Sequence, residues 1–215
     1  MSETPEKPLR ERNLQRALQR FNEEGIEYVG VRELARELGI QAGNISYHFP
    51  TKAHLVAAIG AGFRAEDEAS FRLPKDPSLQ ALCALVREGF RVHHRYRCLF
   101  LSLPKLIGPG GPLASLALPS REAERRVALR GYLERLVEAG LLRPELTASE
   151  LDRIVSLCGL LPRGWVSDAR VSFPDRPEES RMDHYLHLLV DHLSGAATPE
   201  GRRGLEDFRK RLGEG

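Results

Sequence analysis

Hydrophobic positions recur at the spacing of an α-helix along most of this 215-residue chain. Apolar residues at i, i+3, i+4 and i+7 share one face of a helix, whereas a half-buried strand would alternate apolar and polar residues. The pattern predicts an all-α protein of about nine or ten helices. The predicted helices cover residues 9–24, 31–38, 41–49, a longer stretch that begins after Thr51, 77–96, 120–139, 148–161, a stretch beyond 177 that includes 182–193, and 199–212.

Local signals predict where several helices begin and end. Gly25 and Gly140 follow the last apolar positions of two helices, where glycine commonly takes a left-handed conformation. Thr147 and Glu150 have the spacing of a capping box, and Thr51 is placed to cap the helix that follows it. Glycines and prolines cluster in residues 104–119 and predict an irregular connector there.

The amino-acid composition supports a helical fold. The chain has 33 Leu and 20 Ala against 11 Val, 6 Ile and 4 Thr, and helices favour the first pair whereas sheets favour β-branched residues. Its net charge of +2 neither requires nor excludes a nucleic-acid partner. Three widely spaced cysteines without a Cys-x-x-Cys pair predict buried thiols in a reducing compartment. Without a predicted secretory signal or membrane span, we expect a cytoplasmic protein.

The most specific pattern of the chain lies in residues 9–55. Gly39 separates two short predicted helices, and glycine there allows a tight turn and a steep crossing angle. The second short helix would bury Ile40, Ile45 and Phe49 against the first helices. Its outer side would present polar groups that can reach base edges or phosphates. These outer residues are Gln41, Asn44, Tyr47 and His48.

The local charge pattern fits a polyanionic partner. No carboxylate occurs between Leu38 and Arg64, while His48, Lys52 and His54 are present. A nucleic acid pressed against this surface would therefore meet no like charge. The N-terminal amides of the helix that begins after Thr51 would also suit a phosphate.

The run from Gly39 to Lys52 (Gly-Ile-Gln-Ala-Gly-Asn-Ile-Ser-Tyr-His-Phe-Pro-Thr-Lys) resembles the DNA-binding signature of the tetracycline-repressor (TetR) family. So does the Phe21-x-x-x-Gly25 end of the first helix. The resemblance implies a homodimeric regulator, usually a repressor, that binds a near-palindromic operator and releases it when a small-molecule effector binds. It also implies a three-helix helix-turn-helix domain over residues 1–52 and a larger helical effector-binding and dimerisation domain over 53–215.

Site residues can be carried over by their positions in this motif. We assign Gln41, Asn44 and Tyr47 to the major groove and the cationic side chains to phosphate. Gly43 would let the backbone approach the duplex closely. The alternative is that this polar face is only solvated. The full predicted DNA-binding set is Arg32, Gln41, Gly43, Asn44, Ser46, Tyr47, His48, Thr51 and Lys52.

An effector pocket is predicted around two adjacent histidines. On the helix over 77–96, His93 and His94 flank the centre of the apolar stripe, so both can face inward. With Phe90, Phe100 and Trp165 they would form an apolar pocket with a few polar groups, as effector sites require. The alternative is that both histidines lie in the core or at its rim and bond to the backbone.

Two apolar helices suit a four-helix dimer interface. One covers 148–161 and the other carries a stripe from Met182 to Leu193. The alternative is that both line the core of a single subunit. The predicted interface residues are Leu151, Ile154, Val155, Cys158, Tyr185, Leu186, Leu189, Val190 and Leu193.

Catalysis is not predicted. The chain has no nucleophile elbow, Walker loop, dinucleotide fingerprint or His-Glu-x-x-His motif. His184, His187 and Asp191 have spacings that could hold a metal, but a solvated face is the better interpretation, so neither metal nor cofactor is predicted. The run 121–126 alternates in sign, as solvated helix faces do. A small metalloenzyme, or a helix-turn-helix protein without operator activity, stays as an alternative.

Overall fold

The computed structural model describes residues 9–37, 47–114 and 118–212. These ranges contain ten α-helices and no β-strand, which confirms the predicted all-α fold. An isolated antiparallel bridge pairs Leu142 with Ala197. The helices are α1 Leu9–Glu24, α2 Val31–Glu37, α3 Lys52–Ser70, α4 Leu79–Arg95, α5 Arg97–Leu101, α6 Leu103–Ile107, α7 Leu118–Glu138, α8 Ala148–Ser172, α9 Glu178–Ala196 and α10 Pro199–Leu212.

The helix-end signals in the sequence are confirmed. Gly25 follows α1 with a φ of 97°, and Gly140 lies just beyond α7 with a φ of 69°. At the start of α8, Thr147 Oγ1 accepts a hydrogen bond from the Glu150 amide at 3.3 Å, and the Glu150 carboxylate accepts one from the Thr147 amide at 2.8 Å. This reciprocal pair is the capping box.

The predicted connector over 104–119 is partly helical, which corrects the prediction. Residues Leu103–Ile107 form α6, and α7 already begins at Leu118. A five-residue helix is too short to show a hydrophobic period. The prediction for this region therefore rested on its proline and glycine content. The predicted helix over 41–49 lies largely outside the described residues, although Tyr47 and His48 are helical.

The helix predicted over 148–161 is longer than expected, because α8 continues through Pro162 to Ser172. Pro162 removes the single hydrogen bond that its own amide would have donated to the Cys158 carbonyl. Beyond it, Trp165 and Val166 are buried and keep the helix packed. Burial of these side chains offsets the loss of one hydrogen bond, so the proline does not end the helix.

The chain forms two compact units. The N-terminal unit comprises the described residues of Met1–Glu66 and Arg95–Leu116, and the C-terminal unit those of Asp67–His94 and Ala117–Gly215. The division falls inside two helices, after Glu66 in α3 and after His94 in α4.

In the N-terminal unit, Asn22 fixes the end of α1. Its Nδ2 donates to the Arg95 carbonyl at 2.8 Å, and its Oδ1 accepts from the Cys98 amide at 3.0 Å. Asn22 is buried, so these two bonds satisfy the donor and the acceptor of its own side-chain amide. The apolar core around it includes Ala17, Phe21, Val29, Leu34, Ala35, Phe49, Leu55, Val56 and Ile59.

In the C-terminal unit, α8 packs against α7 and α9, and α9 packs against α10. Gly201 lets α10 lie close to the chain after α7, because a Cβ at this position would come within 2.1 Å of the Leu141 carbonyl oxygen. The cysteines are free and buried as predicted. Burial raises the pKa of Cys83, Cys98 and Cys158 to about 12 each.

Candidate nucleic-acid interface and effector cavity

The segment before α3 divides its side chains between core and solvent as the sequence predicts. Phe49 is 2% exposed in the core of the N-terminal unit, whereas the Tyr47 side chain is 82% exposed. The His48 ring is half-buried and lies edge-on to the Tyr47 ring, with centroids 5.1 Å apart. An exposed phenol and an imidazole thus stand on the outer side of this segment.

The first turn of α3 is fixed by short-range hydrogen bonds. Thr51 Oγ1 accepts the His54 amide at 3.3 Å and lies 2.8 Å from His54 Nδ1, so it caps the helix. Lys52 Nζ donates to the Glu27 carbonyl oxygen at 3.2 Å and lies 5.9 Å from the centroid of the Phe21 ring. Partial burial lowers the pKa of Lys52, against the opposing charge of Glu27.

The loop between α1 and α2 is held by charged side chains. The Glu27 carboxylate accepts from Ser102 Oγ at 3.1 Å and from Lys105 Nζ at 3.4 Å. Burial opposes ionisation, but these donors and a backbone hydrogen bond outweigh it and lower the pKa of Glu27. Glu33 on α2 pairs with Arg20 on α1 at 3.7 Å.

The remaining predicted DNA-binding residues divide into two groups. Arg32, on the first turn of α2, is exposed. Gln41, Gly43, Asn44 and Ser46 lie outside the described residues.

A cavity lies within the C-terminal unit, between the last turn of α3 and helices α4, α7 and α8. The space between its walls, including open solvent at the mouth, is about 580 Å³. Its lining residues are Asp67, Ser70, Phe71, Leu85, Val86, Gly89, His93, Glu122, Arg125, Arg126, Leu129, Cys158, Gly159, Pro162 and Arg163.

A buried carboxylate organises one side of this cavity. Asp67 accepts from Arg125 at 2.7 Å and faces His93 Nε2 at 3.6 Å. Nδ1 of His93 lies 2.7 Å from the Pro162 carbonyl oxygen, which can only accept, so Nδ1 is the donor. Burial by itself raises the pKa of Asp67, but the bond to His93 and the charge of Arg125 prevail and lower it.

Three charged residues of α7 also line the cavity, and sequence reasoning missed them. Glu122, Arg125 and Arg126 belong to the run that we interpreted as a solvated helix face, so that interpretation is corrected. Glu122 pairs with Arg163 of α8 at 2.8 Å, and Arg126 donates to Ser156 Oγ at 3.2 Å. Alternating charge along a helix is therefore also compatible with a polar cavity wall.

Of the five predicted pocket residues, His93 lines this cavity. Phe90 and Trp165 stack with ring centroids 5.7 Å apart, and the His94 ring lies 5.5 Å from Trp165. Phe100 belongs to the N-terminal unit, where its ring lies 5.2 Å from the Phe63 ring. A role for these four in effector binding stays a prediction.

Comparison with protein families identifies the chain. The sequence profile described as "Bacterial regulatory proteins, tetR family" matches residues 14–59. A second TetR profile, described as "Bacterial transcriptional repressor", matches residues 62–205, which is more than half of the chain. The chain belongs to the TetR family. It is therefore a transcriptional regulator and not an enzyme. No curated protein matches it significantly.

Solved structures share this TetR fold. A TetR-family transcriptional regulator from Marinobacter aquaeolei VT8 has a TM-score of 0.83 at 18% identity, over 96% of this chain and 99% of that one. The ketosteroid transcriptional regulator KstR2 of Mycobacterium tuberculosis has a TM-score of 0.64 at 20% identity, over 90% and 97%. CprB from S. coelicolor A3(2) has a TM-score of 0.64 at 20% identity, over 94% and 96%.

The nine residues predicted to form the dimer interface of this TetR-family protein lie in the core of one subunit. Each of them is buried within the single chain. In the single chain they pack against their own subunit, as the alternative of a monomer core expects, and their place in a dimer interface stays a prediction. The exposed large apolar residues of α8 and α9 are Leu160, Val171 and Leu188.

The predicted metal-ligand face has other contacts. Asp191 forms an ion pair with Arg209, and the His184 ring lies 4.7 Å from the Phe173 ring. Among the residues with described positions, no group of three or more potential ligands is close enough to hold a metal ion. None of the described helices has both the length and the apolar character needed to cross a bilayer.

Proposed function

We propose that this TetR-family regulator is a repressor that binds a near-palindromic operator as a homodimer and leaves it when a small molecule fills the cavity. One observation supports the proposed DNA binding. In the segment that the family profile matches, the Tyr47 side chain is exposed whereas Phe49 is buried. The ring and hydroxyl of Tyr47 are therefore accessible to a duplex from the segment that resembles the DNA-binding motif.

The groove contacts in this proposal come from the outer side of the predicted second short helix. Gln41, Asn44 and Tyr47 would reach base edges, because amide and hydroxyl groups match the donors and acceptors of the major groove. Phosphates would be contacted by the cationic side chains and by hydroxyl groups, and Gly43 would let the backbone approach closely. The proposed phosphate-side residues are Arg32, Gly43, Ser46, His48, Thr51 and Lys52.

Two equally exposed tyrosines allow a matched test of DNA binding. Tyr47→Ala should weaken binding to an inverted repeat from the DNA flanking the protein's own gene by about 10-fold or more, because one groove contact is worth about 1–3 kcal/mol. Tyr28→Ala is the control, since Tyr28 is also 82% exposed in the N-terminal unit but lies outside the proposed surface. The measurement is fluorescence anisotropy with labelled duplex at two salt concentrations.

Equal affinity of both variants would refute the placement of Tyr47 in the groove. Failure of the parent protein to bind any duplex from its own locus would instead favour the alternative of a helix-turn-helix protein without operator activity.

Release by an effector would act through α3. This helix begins at Lys52, directly after the segment that we propose binds DNA. Its last turn contributes Asp67 and Ser70 to the cavity wall. An occupant that moves these residues would displace the helix. To shift the population from 1:99 to 99:1, it must prefer the released state by about 5.5 kcal/mol.

Dimerisation would use the exposed faces of α8 and α9. Leu160 is 61% exposed and Leu188 is 46% exposed. Gly164 and Gly195, on the same two helices, have no atom within 4 Å of the position that a Cβ would occupy, so a partner helix could approach closely.

A further inference from the structure

The cavity of the C-terminal unit has an apolar part that fits the body of a small molecule. This part combines aromatic and aliphatic carbon from helices α4, α7 and α8 and from the residue that follows α3, so an occupant would exchange water for hydrocarbon contact. Its members are Phe71, Leu85, Val86, Leu129 and Pro162.

The carboxylates of the cavity wall already have partners. Asp67 binds Arg125 at 2.7 Å and faces His93, and Glu122 binds Arg163 at 2.8 Å. A cationic ligand would have to break one of these pairs to find a counter-charge. Breaking the largely buried Asp67–Arg125 pair leaves an uncompensated charge, which is costly, whereas the more exposed Glu122–Arg163 pair costs less to break.

One arginine of the wall has a neutral partner. Both terminal nitrogens of Arg126 donate to the Ser156 hydroxyl oxygen at 3.2 Å. In the described part of the chain, no carboxylate oxygen lies within ion-pair distance of Arg126. A hydroxyl group supplies one acceptor and no negative charge, whereas a guanidinium carries five N–H donors and matches a carboxylate in a two-bond arrangement.

We propose that the effector is a small amphipathic anion whose carboxylate pairs with Arg126 and whose apolar body lies against Phe71, Leu129 and their apolar neighbours. The proposal rests on the effector role of this cavity. The contact of Arg126 with Ser156 is exposed, so with a neutral occupant the arginine keeps only this hydroxyl and solvent as partners, and a cation would be repelled. An anion can pair with Arg126 without breaking an existing ion pair of the wall.

Three probes with the same body separate the alternatives: 4-phenylbutyrate, 4-phenylbutan-1-ol and 4-phenylbutylamine. Titration calorimetry at pH 7 with the full-length protein, without DNA, gives their dissociation constants. We expect 4-phenylbutyrate to bind about 10-fold to 100-fold more tightly than the alcohol, the range for a hydrogen bond to a charged group, and the amine to bind most weakly. Equal binding of acid and alcohol, tightest binding of the amine, or no binding of any probe overturns the proposal.

Variants of Arg126 assign the preference to this side chain. Arg126→Gln should remove the preference for the acid over the alcohol, and Arg126→Lys should keep part of it, because the charge is retained without the two-bond geometry. The matched control is Arg130→Gln, one turn further along α7. Arg130 binds Glu134 at 2.9 Å and Asp152 at 2.6 Å, and it does not line the cavity.

Circular dichroism establishes that each variant is folded, and the selectivity of the parent protein tests the proposal even if a variant unfolds. Retention of the acid preference in folded Arg126→Gln, or its loss in Arg130→Gln, contradicts the assignment. Since these titrations contain no DNA, a protein that prefers the acid but binds no operator supports this inference and refutes the proposed function.

Discussion

At the residue scale, Asp67 shows how a carboxylate can be buried and still remain ionised. Its side chain is removed from water, which disfavours the charge, yet the neighbouring His93 ring and the guanidinium of Arg125 favour the charged form. The net result is a pKa below the ordinary value of 3.8. Arg125 also donates to the Asp67 carbonyl oxygen at 2.7 Å, so one arginine fixes both the side chain and the backbone.

The lowered pKa makes the contribution of Asp67 to stability depend on pH. A carboxylate with a lower pKa in the folded state than in the unfolded state stabilises above its unfolded pKa, and this contribution disappears as the pH falls through the folded pKa. Asp67→Asn should therefore lower the free energy of unfolding at pH 7 by about 1–3 kcal/mol. The difference from the parent protein should persist down to about pH 5 and shrink below about pH 4.

Urea denaturation at several pH values measures this difference. Asp207→Asn is the control, because Asp207 is exposed and its contact with Lys210 at 3.9 Å is weak. A deficit of Asp67→Asn that is the same at pH 7 and pH 3 would show that the charge of Asp67 does not stabilise the fold.

Residue roles were predictable from sequence only in part. The exposed Tyr47 and the buried Phe49 follow directly from helical spacing, because the residues around them fix which face is apolar. Arg126 was missed for a physical reason. Its run alternates in sign, and a solvated face and a charged cavity wall produce the same pattern in one dimension.

At the element scale, glycine positions distinguish close packing from open helix surface. A Cβ at Gly201 would come within 2.1 Å of the Leu141 carbonyl oxygen and 2.9 Å of Leu79 Cδ1. At Gly131 on α7, no atom lies within 4 Å of that position. The two glycines therefore predict opposite responses to the same substitution.

Gly201→Ala should destabilise the protein by about 1–3 kcal/mol, because backbone must move to admit the methyl group. Gly131→Ala should stabilise it by about 0.5–1 kcal/mol, because alanine loses less backbone entropy in a helix. Thermal and urea unfolding of both variants provide the comparison. Opposite signs are the expected result, and destabilisation by neither variant would mean that α10 does not pack on the chain after α7 as described.

The starts of elements were more predictable than their lengths. The capping box at Thr147 identified the start of α8, since the signal is local and chemically specific. Its end was misplaced at 161 because Pro162 is a strong local breaker. Burial of Trp165 and Val166 is a long-range effect, and no local window of the sequence contains it.

At the scale of the whole molecule, the dimer proposal depends on which apolar residues are exposed. Leu160→Glu and Leu188→Glu should each raise the dimer dissociation constant by about 10-fold or more, since burying an unpaired charge costs several kcal/mol. Val127→Glu is the control, because Val127 is exposed on α7, outside the proposed face. Sedimentation velocity over a range of protein concentrations measures all three. Dissociation by Val127→Glu alone would place the interface on α7.

The all-α fold and the family were predictable from sequence because helical spacing and the Gly39–Lys52 motif are local. The dimer surface stays a prediction. Periodicity shows that Leu186 and Leu189 face an apolar environment, but this environment is their own subunit. A stripe that faces a partner has the same period.

The three buried thiols have a practical consequence. Only a thiolate reacts with an alkylating reagent, so Cys83, Cys98 and Cys158 stay inert until the surrounding structure opens. Cys98 lies in one compact unit and the other two lie in the second. The rate at which each cysteine is alkylated therefore reports the opening of its own unit, and the unaltered protein carries an internal probe of local unfolding in both.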